Sequence, residues 1–373
     1  MPRILGYDRQ PGADRTGGSI ARRSRRDILL AAAAAGTAAL PRFSHAQGGA
    51  PPKPDRIVVN ASGGSMTSNL RRFYFSEYER QHGIRVVDTS PVDFGKLRAM
   101  VASGNPEWTV TEIGGQDAMR AVELNLLEPI DISIVDLSGF PAMARQSHIY
   151  VGATSSTALG YRTDAFPDGS HPKGWAEFWD VRRFPGARSL RNHPVDNLEF
   201  ALLADGVALD KIYPIDMDRA FRKLDEIRPH IAVWWTTGAQ PAQMLVDREV
   251  VLASGWNGRF FELTRRGAPV NTDFTGGSLK TSAWGIPRGT RNAYWGQQLF
   301  RTMTNPRLQA AYATELSYAG LNPQTISFVP EDIRPLLPAA PANLAKQFWM
   351  DLAWWTENGA RAQERWNRWM LQR

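Results

Sequence analysis

Beyond residue 55 the chain alternates short β-branched runs with stretches whose apolar positions recur every three to four residues. Arg56-Ile57-Val58-Val59-Asn60 is a strand signal that breaks at Ser62-Gly63-Gly64-Ser65. Leu70, Phe73, Tyr74, Glu77 and Tyr78 follow at helical spacing, which predicts a helix from about Met66 to Gln81. Gly83 ends that helix, and Ile84-Arg85-Val86-Val87 reads as the next strand. Phe94 to Ser103 reads as helix, Trp108 to Ile113 as a strand stopped by Gly114-Gly115, and Ala118 to Leu126 as helix again. Strands alternating with helices predict an α/β chain whose sheet is mainly parallel and covered on both faces.

The alternation resumes near Ala158-Leu159-Gly160-Tyr161. Helices are predicted at Trp175 to Trp179, Asn197 to Ala204 and Asp218 to Ile227, and a strand at Val250 to Ala253. From Pro287 onward the pattern is mainly helical. In open parallel sheets a ligand sits outside the carboxyl ends of the strands. Those ends are rich in Gly, Ser and Thr at 62–65, 114–116, 154–157 and 236–238. Such segments offer backbone N–H groups and hydroxyls to a solute, or are simply turns. Ser62, Gly63, Gly64, Gly115, Gln116 and Thr237 are therefore candidate solute contacts.

The first fifty residues follow another pattern. Ser24-Arg25-Arg26-Asp27 precedes an uncharged, alanine-rich run from Ile28 to Leu40. A bilayer span needs about 20 apolar residues, more than this run supplies. Ser44-His45-Ala46 adds a small-x-small site, so residues 1–46 are expected to be a leader removed near Ala46. The segment resembles a twin-arginine signal, with Ile28 where an aromatic is more usual and Arg42 disfavouring the general secretory route. That resemblance implies a mature protein in the periplasm. A basic nucleic-acid arm ahead of a buried helix leaves the Ser44-His45-Ala46 ending unexplained.

The leader changes how the charge is read. The whole chain carries +7, but eight of its 44 Lys+Arg and three of its 37 Asp+Glu lie in residues 1–46, which leaves +2 beyond them. The basic balance is thus no argument for nucleic acid. With no cysteine there are no disulfides, thiolate metal sites or cysteine nucleophiles. About 327 residues beyond the leader is more than one core usually serves, so two lobes are expected.

Several runs occur in an order with a family likeness. They are Leu126-Leu127-Glu128-Pro129-Ile130, Gly174-Trp175-Ala176-Glu177-Phe178-Trp179-Asp180, Asp247-Arg248-Glu249-Val250 leading to Gly255-Trp256-Asn257-Gly258, and Trp284-Gly285-Ile286-Pro287-Arg288-Gly289. On these runs, residues 55–373 resemble the periplasmic solute-binding proteins of ABC importers, of the spermidine/putrescine-binding type. The resemblance implies a type II two-lobe fold with a ligand cleft at the hinge. Residues 47–54 would be a linker, 55–155 plus 285–373 the first lobe with C-terminal helices, and 156–284 the second. It also implies a monomer that captures a small solute, needs no cofactor or metal, and delivers the solute to permease subunits in the inner membrane.

Candidate ligand residues follow from that resemblance. Trp256-Asn257 matches the family's pocket tryptophan motif, where an aromatic face attracts an alkylammonium group. Asp196 falls near the family's carboxylate, although a helix N-terminal carboxylate is the other reading of it. Lys280 and Ser282 stand where polyamine binders resemble a tryptophan and an aspartate. Losing that aspartate and gaining a lysine disfavours a pure polyamine. A solute bearing both an amine and a carboxylate or phosphonate, such as an amino acid, opine or aminophosphonate, suits Asp196 with Lys280 better, unless Lys280 is merely solvated. Gln240, within Trp234-Trp235-Thr236-Thr237-Gly238-Ala239-Gln240, is a further candidate. Trp349, Trp354, Trp355, Trp366 and Trp369 lie near i, i+3 spacing and read as core.

An exported enzyme is the competing class. No G-x-S-x-G, Walker loop or H-E-x-x-H occurs. The five histidines beyond the leader (82, 148, 171, 193, 230) lack metal-ligand spacing. Ser170-His171-Pro172-Lys173 matches S-x-x-K only in a Pro/Gly loop. No Tyr-Tyr pair of the ferric-binding kind is present.

Overall fold

The structure is a computed structural model that describes residues 50–372. The expected leader, with its expected cut near Ala46, lies outside the described residues. One nine-stranded sheet organises the body: β1 Arg56–Asn60, β2 Arg85–Thr89, β3 Val110–Ile113, β4 Tyr150–Arg162, β5 Arg188–Arg191, β6 Ile231–Trp235, β7 Leu252–Trp256, β8 Val270–Gly285 and β9 Phe348–Trp349. Their spatial order is β2-β1-β3-β8-β4-β7-β5-β6, with β9 also pairing β8. The β1–β2, β1–β3, β5–β6 and β5–β7 pairs are parallel, as the strand-helix alternation predicts.

Two antiparallel strands join the halves. β4 and β8 pair from Tyr150↔Trp284 to Arg162↔Val270. β3 pairs with β8 near its C-terminal end, and β7 with β4 near its own. Each half then builds its own core. Ile57, Val59, Tyr74, Tyr78, Trp284 and Phe300 are buried together in one, and Leu159, Trp175, Phe200, Leu224, Leu252 and Trp366 in the other. A two-lobe α/β fold hinged on β4 and β8 is the result.

Local details differ from the sequence pattern. The helix expected over 66–81 runs from Gly64 to His82 with a π-helical turn at Arg71–Phe75, where both Tyr74 and Phe75 are buried. Gly83 caps it in the left-handed region at φ 59°. Segment 154–157 is no loop but the middle of β4, because it pairs along β8 and, at Thr157, with β7. The strand expected at 250–253 begins at Leu252 and carries Trp256 at its end.

The C-terminal helix Leu352–Leu371 also departs from the expected division. Within 285–373, assigned to the first lobe, this helix buries Trp355, Trp366 and Trp369 in the second core. Their indole N–H groups donate to Glu199 (2.7 Å), Asn192 (3.0 Å) and Asp225 (2.7 Å). A buried indole needs such an acceptor, and the second lobe supplies all three. No helix among the described residues is long and apolar enough to cross a membrane.

Candidate functional site

Strand alternation decides which side chains share the hinge surface. Ser278, Lys280, Ser282 and Trp284 point to one face of β8. Residues paired directly opposite one another lie on the same face, so Glu112 of β3 joins through Trp284, Thr157 of β4 through Ser278, and Trp256 of β7 through Thr157. This face carries Glu112 at one end and Trp256 at the other, with Lys280 between them.

Lys280 and Asp196, assigned separately from sequence, are brought together. Lys280 Nζ lies 2.6 Å from Asp196 Oδ1 and donates to Thr157 Oγ1 at 2.7 Å and Ser278 Oγ at 3.3 Å. The Thr157 hydroxyl also reaches Asp196 Oδ2 at 3.0 Å. Asp196 is 1% exposed and holds a positive φ of 74°, breaking the helical geometry of Pro194–Ala204. Burial alone would raise its carboxyl, but the charge and hydrogen bond of Lys280, with Ser278 and Arg191, hold it below the ordinary carboxylate value. The pair is neutral as a unit.

Trp256 is half-buried. Its ring meets Trp235 edge-on at 6.1 Å, and Gly238 lies so close that an added Cβ would stand 2.2 Å from it. Gln240 does not line open space through its carbonyl. Its Oε1 accepts from the N–H groups of Thr236 (2.6 Å) and Thr237 (2.9 Å), fixing the turn against the tryptophan. Thr237 itself is exposed beside that turn.

Asn257 is placed differently from a pocket residue. It is 1% exposed, accepts from Ser156 N at 2.8 Å and donates to Ser317 O and Oγ at 3.1 and 2.9 Å. The amide is consumed in latching the start of helix Asn257–Arg265 to β4 and to the 317 turn. Gly115 opens the helix Gly115–Glu123, with Gln116 next, and its Cα faces Leu352, 3.1 Å from a built Cβ. It lines a largely apolar groove of about 410 Å³ with Ala118, Met119, Thr281, Ala283 and Leu352. Lys280 lines the same groove beside Thr281 and Ala283, so the groove reaches the Lys280 position of β8.

At the first-lobe end, Ser62 donates from both N–H (2.8 Å) and Oγ (2.5 Å) to Glu112 Oε2. Gly63 and Gly64 follow at φ 87° and 60°, which only glycine adopts readily. Glu112 was invisible as a site residue in sequence because it sits mid-strand. Arg259 was also missed. It is exposed one turn into the helix after Trp256, and its guanidinium has no hydrogen-bond or ion-pair partner among the described residues. Its charge acts on Tyr318, which lies against Gly258, while that of Glu112 acts on Tyr312. Besides the neutral Lys280–Asp196 pair, the face carries the Glu112 carboxylate, held by Ser62, and the helix after Trp256 carries Arg259.

Residues 74–333 match the model of the bacterial extracellular solute-binding protein family. The chain belongs to this family. It is 30% identical over 321 residues to a γ-aminobutyric acid-binding protein of Pseudomonas aeruginosa, covering 84% of this chain and 90% of that one. It superposes on an ABC transporter substrate-binding protein from Bradyrhizobium japonicum with a TM-score of 0.75 and 35% identity, over 85% of this chain and all of the other. A spermidine/putrescine-binding periplasmic protein of Escherichia coli is 24% identical over 165 residues, 44% of this chain and 46% of that protein. A spermidine/putrescine-binding periplasmic protein of Haemophilus influenzae is 19% identical over 289 residues, 74% of this chain, so the likeness to polyamine binders extends beyond half the chain but is weaker than that to the aminobutyrate binder. As a member of this family, the chain is a solute-binding protein of an ABC transporter.

Proposed function

We propose that this protein is the periplasmic receptor of an ABC importer and captures a small amino-carboxylate between its lobes. The observation that carries the solute class is the Lys280–Asp196 pair, 2.6 Å apart. A polyamine would need that carboxylate as an acceptor for its ammonium, yet the chain's own lysine already holds it. Glu112 is assigned to an ammonium and Arg259 to a carboxylate of the solute, with the Trp256 ring beside the alkyl chain. Opines and aminophosphonates share this pairing of charges.

Closure on such a solute follows from geometry. Glu112 belongs to the first lobe and Arg259 to the second, so a molecule touching both is bound better when the lobes are near. A ligand shifts an equilibrium only by its preference for one state, and this arrangement supplies that preference. The closed form is what the permease would recognise. The expected leader, removed near Ala46, would deliver the body to the periplasm by the twin-arginine route.

Titration calorimetry with 4-aminobutyrate, related amino acids, opines, putrescine and spermidine tests the assignment. Heat from an amino-carboxylate with none from the diamines is the expected result. Tight putrescine binding with no response to amino-carboxylates would overturn it.

A further inference from the structure

The Lys280 ammonium sits among three oxygens. Asp196 Oδ1, Thr157 Oγ1 and Ser278 Oγ lie at 2.6, 2.7 and 3.3 Å, one for each N–H of a primary ammonium. Two of these oxygens come from β4 and β8, and the third from a residue with its backbone at positive φ. Asp196 is buried, whereas the lysine side chain is 22% exposed and lines the groove with Gly115 and Leu352, so the cage is reached along Lys280. A buried carboxylate flanked by hydroxyls and reached from the open side is the architecture of a receptor for an alkylammonium ion.

We infer that the Asp196–Thr157–Ser278 cage is an ammonium-binding subsite filled by a tethered ligand, the chain's own Lys280, and that this occupancy excludes polyamines and sets specificity. The inference rests on the proposal that this face binds the solute, but the cage can be read without knowing that solute. An intramolecular ammonium is present at high effective concentration, so free amines in solution compete poorly for the same oxygens. Removing the tether opens the subsite while leaving its acceptors in place.

Propylammonium tests this directly, because Lys280→Ala removes three carbons and an ammonium, the atoms of that ion. Lys280→Ala is expected to melt several degrees below the parent, since Asp196 is left buried without its cation. Millimolar propylammonium chloride should restore part of that loss in Lys280→Ala and leave the parent unmoved. Tetramethylammonium chloride, which donates no hydrogen bond, should do neither. Lys280→Met, which fills the same space without a charge, should show no rescue. In Lys280→Ala with Asp196→Ala the rescue should vanish. Calorimetry should also show putrescine binding Lys280→Ala at least about tenfold tighter than the parent.

Equal response of Lys280→Ala to propylammonium and tetramethylammonium, or equal rescue of the Lys280→Met variant, overturns the inference. If Lys280→Ala is recovered unfolded, refolding with propylammonium replaces the melting assay, and failure to refold better than with tetramethylammonium counts against the cage. Rescue together with silence toward amino-carboxylates would sink the proposed solute class and leave the cage standing.

Discussion

Lys280 Nζ and Asp196 Oδ1 meet at 2.6 Å across 84 residues of sequence, one from a hinge strand and one from the kinked start of a second-lobe helix. The pair ties that helix to the hinge. Asp196→Ala should cost about 3 kcal/mol, because Lys280 then loses its carboxylate. Replacing both by apolar residues of similar size should cost much less than either single change. Urea titrations of the two single variants and the double variant measure this coupling.

Trp256→Ala should weaken solute binding strongly, with far-ultraviolet circular dichroism unchanged. The ring is half-buried and sits at a strand end, so its loss opens the cleft surface more than the core. Gly238→Ala should act on the same ring from outside, since the added methyl would overlap it. Unchanged affinity in Trp256→Ala would assign the tryptophan to packing alone.

Glu112→Gln and Arg259→Ala should discriminate between the two ends of a solute. With an amino-carboxylate bound, each change should cost about 2 kcal/mol or more in affinity, as loss of a charged hydrogen-bond partner does. For analogues lacking the amine, the Glu112→Gln penalty should disappear. For analogues lacking the carboxylate, the Arg259→Ala penalty should disappear. Calorimetry with paired analogues reads both.

Asn257→Ala should lower stability by about 1–3 kcal/mol, because Ser156 N–H and Ser317 lose a buried partner. Its effect on solute affinity should be smaller than that of Trp256→Ala. A thermal melt and one binding isotherm separate the two roles.

Glu199 gives the protein a pH dependence of known sign. Burial first, then the charge of Asp196, pushes its carboxyl from 4.5 up to about 7, against hydrogen bonds from Tyr213 and Trp355. Between those values the folded state binds a proton that the unfolded state has released. Its contribution is therefore fully present below about pH 4.5 and is lost as pH rises toward 7, by up to about 3 kcal/mol. Glu199→Gln, which mimics the protonated form, should flatten this part of the stability profile. Melting temperatures from pH 5 to pH 8 test the slope.

The strand-helix alternation was legible because it depends on local period. Ile57-Val58-Val59 and the recurring aromatics after Leu70 announce their structure without reference to the rest of the chain. Segment 154–157 was not legible, since Thr-Ser-Ser-Thr reads as a polar turn and becomes a strand only between β7 and β8. Glu112 was hidden for a related reason. A glutamate inside a β-branched run gives no signal of the serine N–H that it accepts from 50 residues away.

The sequence by itself determined the alternating α/β elements, the family likeness, and the residue types at positions 196, 256 and 280. Periodicity and short motifs are properties of neighbouring residues, so they survive without a fold. Tertiary structure decided what those residues do to one another. It turned Asp196 and Lys280 from two candidate contacts into one neutral pair, withdrew Asn257 into a latch, and set Gly115 against Leu352. Strand register and the kink at Asp196 fixed those outcomes, and both arise from pairings between segments far apart in the chain.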